Sequence, residues 1–195
     1  MRRVLDSRHG IDWPPTACIV TRGDVDLDPV LNSLPPTWPV DIYDNSSEDA
    51  DLAVLGRYIS INRVRSDVVY VQDDDCVLAP EAFVQLVREY EPGVLVANMP
   101  ERFRPHYSDS CLIGFGALFD RWLPERAFDK VPGGAETVNF NRTADVYFTT
   151  LTERRKFLDL PFKHLPWATD ESRMYRQKDH VGERFAALAH ARSLR

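Results

Sequence analysis

The stretch that decides the fold is Val68-Val69-Tyr70-Val71-Gln72-Asp73-Asp74-Asp75. Four apolar residues in a row read as a strand buried on both faces. Three carboxylates follow, and beyond them Pro80 opens a helix with Phe83, Leu86, Val87 and Tyr90 on one apolar face. Carboxylates crowded at the end of a buried strand repel one another and are costly to desolvate. A hard divalent ion, Mg²⁺ or Mn²⁺, removes that penalty because it favours carboxylate oxygen. Held by one or two carboxylates, such an ion shares its other positions with phosphate and water. The triplet therefore reads as a metal–phosphate site. It is not an EF-hand loop: the sixth position from Asp73 lacks glycine, and Val84 stands at the twelfth, where Glu is needed.

Working outward, Ala17-Cys18-Ile19-Val20 reads as a short buried strand, ended by Thr21-Arg22-Gly23-Asp24. Val40-Asp41-Ile42-Tyr43 reads as another, ended by Asp44-Asn45-Ser46-Ser47. Leu52, Leu55 and Ile59 then fall at helical spacing, with Glu48, Asp49 and Asp51 near the start, where the helix dipole favours acids. Gly93 to Ala97 is a further strand. Alternation of strands and helices over the first 100 residues predicts an α/β sheet, largely parallel at its start. Ligands in such sheets bind at the carboxyl ends of the strands. Thr21-Arg22, Asp44-Asn45 and Asp73-Asp75 all fall there and are expected to converge on one crevice.

The second half is less regular. Gly114-Phe115-Gly116-Ala117 places two glycines near an apolar strand, which suits close approach by a ligand or a neighbouring segment, or a strand bulge. Pro132-Gly133-Gly134 reads as a turn or loop. Residues 143–151 read as a helix with Thr143 as N-cap and Asp145 in the first turn. Phe162 to Trp167 reads as an edge strand. Val181, Phe185 and Leu188 predict a final amphipathic helix, with Asp179 as its cap.

Composition narrows the class. The 195 residues suffice for one domain with a proper core, and 44% hydrophobic content is that of an ordinary soluble globule. No apolar run approaches a membrane span, and Met1-Arg2-Arg3-Val4-Leu5-Asp6 holds no secretion signal. Cys18, Cys76 and Cys111 lie in or beside apolar segments, which reads as packed, reduced thiols in a cytoplasmic protein. Residues 1–150 carry 14 Lys/Arg against 24 Asp/Glu, whereas residues 151–195 carry 10 against 6. Global acidity argues against non-specific nucleic-acid binding. The basic tail is either a solvated surface or a segment folded back over phosphates.

The ordered series resembles the nucleotide-sugar glycosyltransferases of the GT-A fold. It runs from Thr21-Arg22 through Asp44-Asn45-Ser46 to a DxD motif within 73–75, then Ile113-Gly114-Phe115-Gly116-Ala117, Ala144-Asp145 and a late His180. Within that class the chain is most similar to exostosin-like hexosaminyltransferases, through Arg57 ahead of the triplet and the segment His180-Val181-Gly182-Glu183-Arg184. The stretch from 120 to 142 has no counterpart there. The resemblance implies one GT-A, Rossmann-like α/β domain over 1–195, with a mixed central sheet flanked by helices. Residues 1–15 would form an N-terminal extension, and 176–195 a C-terminal helix closing over the donor site.

It also implies roles. Asp75 and His180 would hold Mn²⁺ or Mg²⁺, with His9, His106, His164 and His190 as rivals for the histidine. Asp73 would meet the sugar or ribose hydroxyls, and Asp74 either partner. Arg57 and Arg184 would neutralise the diphosphate. Asp44 and Asn45 would face the uracil edge of a UDP-sugar, or simply end the strand in an Asx turn. Thr21 and Arg22 would line the donor crevice, and Gly114 and Gly116 would admit the donor sugar or acceptor. Asp145 would lie beside the anomeric carbon: a general base in an inverting enzyme, an orienting and charge-stabilising group in a retaining one, or an acid placed by the helix dipole alone. The exostosin-like resemblance implies retention. Trp122 and Trp167 would stack on sugars or pack. The expected reaction moves a hexosyl or hexosaminyl group to a hydroxyl of a glycan or protein. A nucleotidyltransferase, a HAD-type phosphatase using Asp73-x-Asp75-x-Val77, and a non-catalytic nucleotide-sugar-binding module are the alternatives.

Overall fold

Why the strands form is clearest in β3, Val68–Asp73. Its side chains alternate between two apolar layers: Val69 and Val71 enter one core, Val68 and Tyr70 the other. A computed structural model describes residues 13–46, 51–107, 109–133, 139–171 and 173–195. Glu48, Asp49, Ser47, Gly134, His9, the side chain of His106 and the first twelve residues of the expected extension lie outside the described residues.

The chain runs β1 (Thr16–Thr21), α1 (Asp28–Ser33), β2 (Val40–Asp44), α2 (Gly56–Arg63), β3, β4 (Cys76–Leu78), α3 (Pro80–Glu89) and β5 (Leu95–Asn98). It continues with β6 (Ala117–Asp120), α4 (Leu123–Phe128), α5 (Phe140–Leu151), β7 (Arg155–Leu158), β8 (Phe162–His164) and α6 (His180–Ser193). Six strands form one sheet in the order β2-β1-β3-β6-β5-β7. β2, β1 and β3 are parallel to one another; β6 lies antiparallel between β3 and β5; β5 and β7 are again parallel. The expected mixed α/β sheet flanked by helices is what the structure has. Strands β4 and β8 pair antiparallel in a small separate sheet.

Helices cover both faces. α2, α4, α5 and α6 contribute Tyr58, Ala127, Phe148 and Ala187 to one core, where Phe119 and Phe148 meet at 4.9 Å between ring centroids. α3 brings Phe83 and Leu86 to the other, where Trp38, Tyr70 and Phe83 pack ring on ring. Pro80 sits in the first turn of α3, as its fixed φ favours.

Several local expectations shift. α5 begins three residues before Thr143, because Phe140 is drawn into the core against Phe128 at 5.1 Å. Asn139 takes the left-handed turn before it (φ +57°), and Thr143 hydrogen-bonds back to the Asn139 carbonyl at 2.8 Å. Asp145 therefore falls in the second turn, and the helix dipole alone does not explain it. The strand expected over Phe162 to Trp167 ends at His164, since Pro166 opens a 3₁₀ turn. Asp179 precedes α6 with helical dihedrals and makes no side-chain cap bond. Val181 and Phe185 do not pack inward: α6 seats on Ala187 and Ala191 instead.

Gly116, at φ +102°, answers to packing. A Cβ there would stand 2.9 Å from both Leu78 Cδ2 and the Tyr70 hydroxyl. Gly116→Ala is expected to lose about 1–3 kcal/mol from backbone strain, before any clash is counted. Urea unfolding measures this; an unchanged midpoint would refute the packing account.

Candidate active site

Parallel strands β1, β2 and β3 end side by side, and a cavity of about 790 Å³ opens there. Thr21, Arg22, Asn45, Arg57, Asp73, Asp74, Asp75, Gly114, Asp145, His180 and Arg184 all line it. Asp44 and Gly116 do not appear in its lining. Residues from β1, α2, β3, α5 and α6 and from the segments between them thus meet at one place, at the strand ends where such sheets bind ligands.

Arg57, in the first turn of α2, is 1% exposed. Its guanidinium pairs with Asp73 through Nη2 and lies 3.4 Å from Asp145 Oδ2 through Nη1. The next residue, Tyr58, donates its hydroxyl to Asp145 Oδ1 at 2.7 Å. Two neighbours on one helix therefore hold both oxygens of a single carboxylate. Burial pushes the Asp145 pKa up, and Arg57 and Tyr58 oppose that rise. Burial also disfavours the charged form of Arg57, but Asp145 and Asp73 outweigh it, and the guanidinium stays firmly protonated. The resemblance gave Arg57 to a diphosphate; the structure places it between two carboxylates. Opposite Asp73, a Cβ on Gly114 would fall 1.9 Å from Oδ2, so the bare backbone there makes room for this acid.

The triplet divides by environment. Asp74 is buried and fully engaged: Thr21 Oγ1 donates to Oδ2 at 2.9 Å and Arg173 Nη1 to Oδ1 at 2.8 Å. The Trp167 indole donates to the Asp74 carbonyl at 2.8 Å, so this tryptophan is a brace. Asp75 is the opposite case. Its Oδ1 is buried and has no hydrogen-bond partner among the described residues. Burial first, then Asp73 and Asp74, push its pKa up to about 7. An orphaned carboxylate oxygen is the kind of donor that a hard divalent cation takes.

His180 opens α6 and is 4% exposed. Its Nδ1 likewise lacks a partner among the described residues. Burial, then Arg184 and Arg142, push its pKa down to about 4, so the ring is neutral near pH 7 and suited to a metal. Of the rival histidines, His164 also lines the cavity, while His190 hydrogen-bonds Tyr147. Among the described residues no three His, Cys, Asp or Glu side chains gather as a ready-made cage.

The remaining expected residues are placed as follows. Asp44 Oδ1 accepts from the Ser46 backbone N–H at 2.9 Å, the Asx turn foreseen for it. Asn45 gives its amide to the loop, accepting from Leu52 N–H at 2.9 Å and donating to the Ala53 carbonyl at 3.4 Å. Arg22 pairs with Asp24. Arg184 lays its guanidinium over the Tyr107 ring, 4.9 Å from the centroid. Trp122 packs beside Arg126, away from the cavity lining. Sequence reasoning missed Tyr58 and Arg173. The adjacency of Tyr58 to Arg57 was a usable signal; a lone arginine in the polar stretch after Asp170 carried none.

No family model matches the chain, and no curated protein sequence matches it. Solved structures do resemble it. The mannosyltransferase PcManGT from Pyrobaculum calidifontis, in complex with GDP-Man and Mn²⁺, superposes with a TM-score of 0.53 at 14% identity. That match covers 99% of this chain and 69% of the other. A197 from STIV superposes with a TM-score of 0.50 at 17% identity, covering 78% and 86%. The fold is therefore the Rossmann-like α/β architecture found in a glycosyltransferase. No described helix is long and apolar enough to cross a membrane.

Two predictions follow from the charges. Arg57→Met leaves Asp73 and Asp145 uncompensated and is expected to lower stability by about 3–5 kcal/mol at pH 8. The loss shrinks at pH 5, where Asp145 takes up a proton more readily; equal urea midpoints for variant and parent would refute the pairing. The second concerns Asp75, whose folded pKa lies above its unfolded value. Its favourable contribution is present at low pH and is lost as pH rises through about 7. Without metal, the melting temperature of Asp75→Asn should exceed that of the parent increasingly from pH 4 to 7. Saturating Mn²⁺ should reverse the order. A difference independent of pH would contradict an ionisable, unpaired Asp75.

Proposed function

We propose that this chain is a metal-dependent glycosyltransferase that moves a sugar from a nucleotide-sugar donor to a hydroxyl acceptor, with the whole of 1–195 acting as one GT-A domain. The observation that carries the reading is the unpaired Asp75 carboxylate at the ends of three parallel strands, in one cavity with neutral His180 and the clamped Asp145. The glycosyltransferase fold supports it. The resemblance to exostosin-like enzymes supplies UDP as the carrier, a hexosyl or hexosaminyl group as cargo, and retention of configuration.

Asp75 and His180 are the groups that would hold Mn²⁺ or Mg²⁺. Bound there, the cation would neutralise the departing diphosphate, which then needs no proton. Arg184, half-buried beside Tyr107, adds positive charge for the same phosphates. Asp73, its rotamer set by Arg57 and by the bare backbone at Gly114, offers an acceptor oxygen to sugar hydroxyls. Asp74, already satisfied, positions the other two acids. Residues 176–195 close one wall of the cavity through α6.

Asp145 is the group assigned to the bond-making end. Tyr58 donates to one of its oxygens and the Arg57 guanidinium lies 3.4 Å from the other, which holds the carboxylate in one orientation. What it supplies is a fixed negative charge, 20% exposed, that can steady oxocarbenium-like character and orient the attacking hydroxyl. A carboxylate held this way suits the orienting and charge-stabilising role that the resemblance implies for a retaining enzyme.

The test is a panel of nucleotide sugars with Mn²⁺, following release of the nucleoside diphosphate. One UDP-sugar should be consumed, slowly by hydrolysis and faster with a hydroxyl acceptor. Asp75→Ala should abolish turnover while circular dichroism stays unchanged. Retained activity would sink the metal role; no turnover of any donor would sink the transferase.

A further inference from the structure

The cavity lining divides into two chemistries. The strand ends supply Asn45 and the three acids, and α5 and α6 add Arg142, Asp145, His180 and Arg184. Among these groups the lining also carries an apolar set rich in rings: Phe103, Tyr107, Phe115 and Phe185, with Val181 and Leu188. Val181 and Phe185 are 57% and 66% exposed, above every other large hydrophobic side chain among the described residues. They lie one helical turn apart on α6, so they share a face. Neither is needed to seat the helix, since Ala187 and Ala191 are buried and Leu188 packs on the core. The rings Phe103 and Phe115 stand 5.4 Å apart, and Arg184 covers Tyr107, fixing one edge of the wall beside the charged groups. Asp145 and Val146 of α5 line the same cavity.

An exposed apolar surface continuous with a catalytic cavity is stabilised when a ligand covers it. Four of the six groups are rings, and rings gain most from a flat ring stacked against them. We propose that this wall receives the acceptor, and that the acceptor carries its hydroxyl on, or next to, an aromatic ring. The inference rests on the transferase reading above and names the substrate class of that site.

The experiment compares three acceptors built on one sugar, the p-nitrophenyl, octyl and methyl glycosides, with the nucleotide sugar and Mn²⁺. Turnover is read as kcat/KM, and binding separately by calorimetry. The aryl glycoside should exceed the methyl one by about tenfold, the scale of one aromatic contact. Phe185→Ala, at an exposed position, should cut the aryl-to-methyl ratio several-fold. Equal values for the three acceptors, a preference for the octyl chain, or a ratio that Phe185→Ala leaves unmoved would each overturn the inference. Donor turnover without aryl preference defeats this proposal alone. Aryl binding without turnover of any donor defeats the transferase reading and leaves the ring wall standing.

Discussion

The structure around the cavity depends on one buried cation. Arg57 is almost wholly buried and stays charged because Asp73 and Asp145 flank it. Those carboxylates come from the end of β3 and from the second turn of α5. The guanidinium therefore fixes α2 against the sheet on one side and α5 on the other. Desolvating an arginine is expensive, and the expense is met only if both acids hold their positions. The requirement propagates: Gly114 must lack a side chain to leave room for Asp73, and Tyr58 must aim its hydroxyl at the second oxygen of Asp145.

Three identical residues in a row have acquired three different chemistries. Asp74 is closed off by Thr21 and Arg173, Asp73 is turned toward Arg57, and Asp75 is left with a buried, unmatched oxygen. Nothing in the side chains differs; the donors arriving from other elements make the distinction. A bound cation would complete the set by satisfying the one oxygen that protein groups leave alone.

Much of the front half was legible because its signals are local. Apolar runs such as 68–71 and turn residues such as Gly23 and Ser46 mark strands and their ends, and the parallel order of β1, β2 and β3 brings those ends together. The back half was less legible because its structure is decided by distant contacts. β7, Arg-Lys-Phe-Leu, is an edge strand with no clean alternation. Phe140 moves the start of α5 through core packing that no capping pattern announces. At the site, residue types were readable but partners were not: Asp75 and Asp74 look alike in the sequence, and the arginine that separates them lies 99 positions from Asp74.

That separation has a consequence for how the chain comes to be folded. The braces on Asp74 reach it from Trp167 and Arg173, across 93 and 99 residues, and the hydroxyl on Asp145 spans 87. Such contacts repay their loop-closure entropy late. On a ribosome, β3 and the triplet emerge after Thr21 and Arg57 but while Trp167 and Arg173 are still unsynthesised. The nascent front half must therefore carry Asp74 without its arginine, and the cavity can take shape only after most of the polypeptide exists.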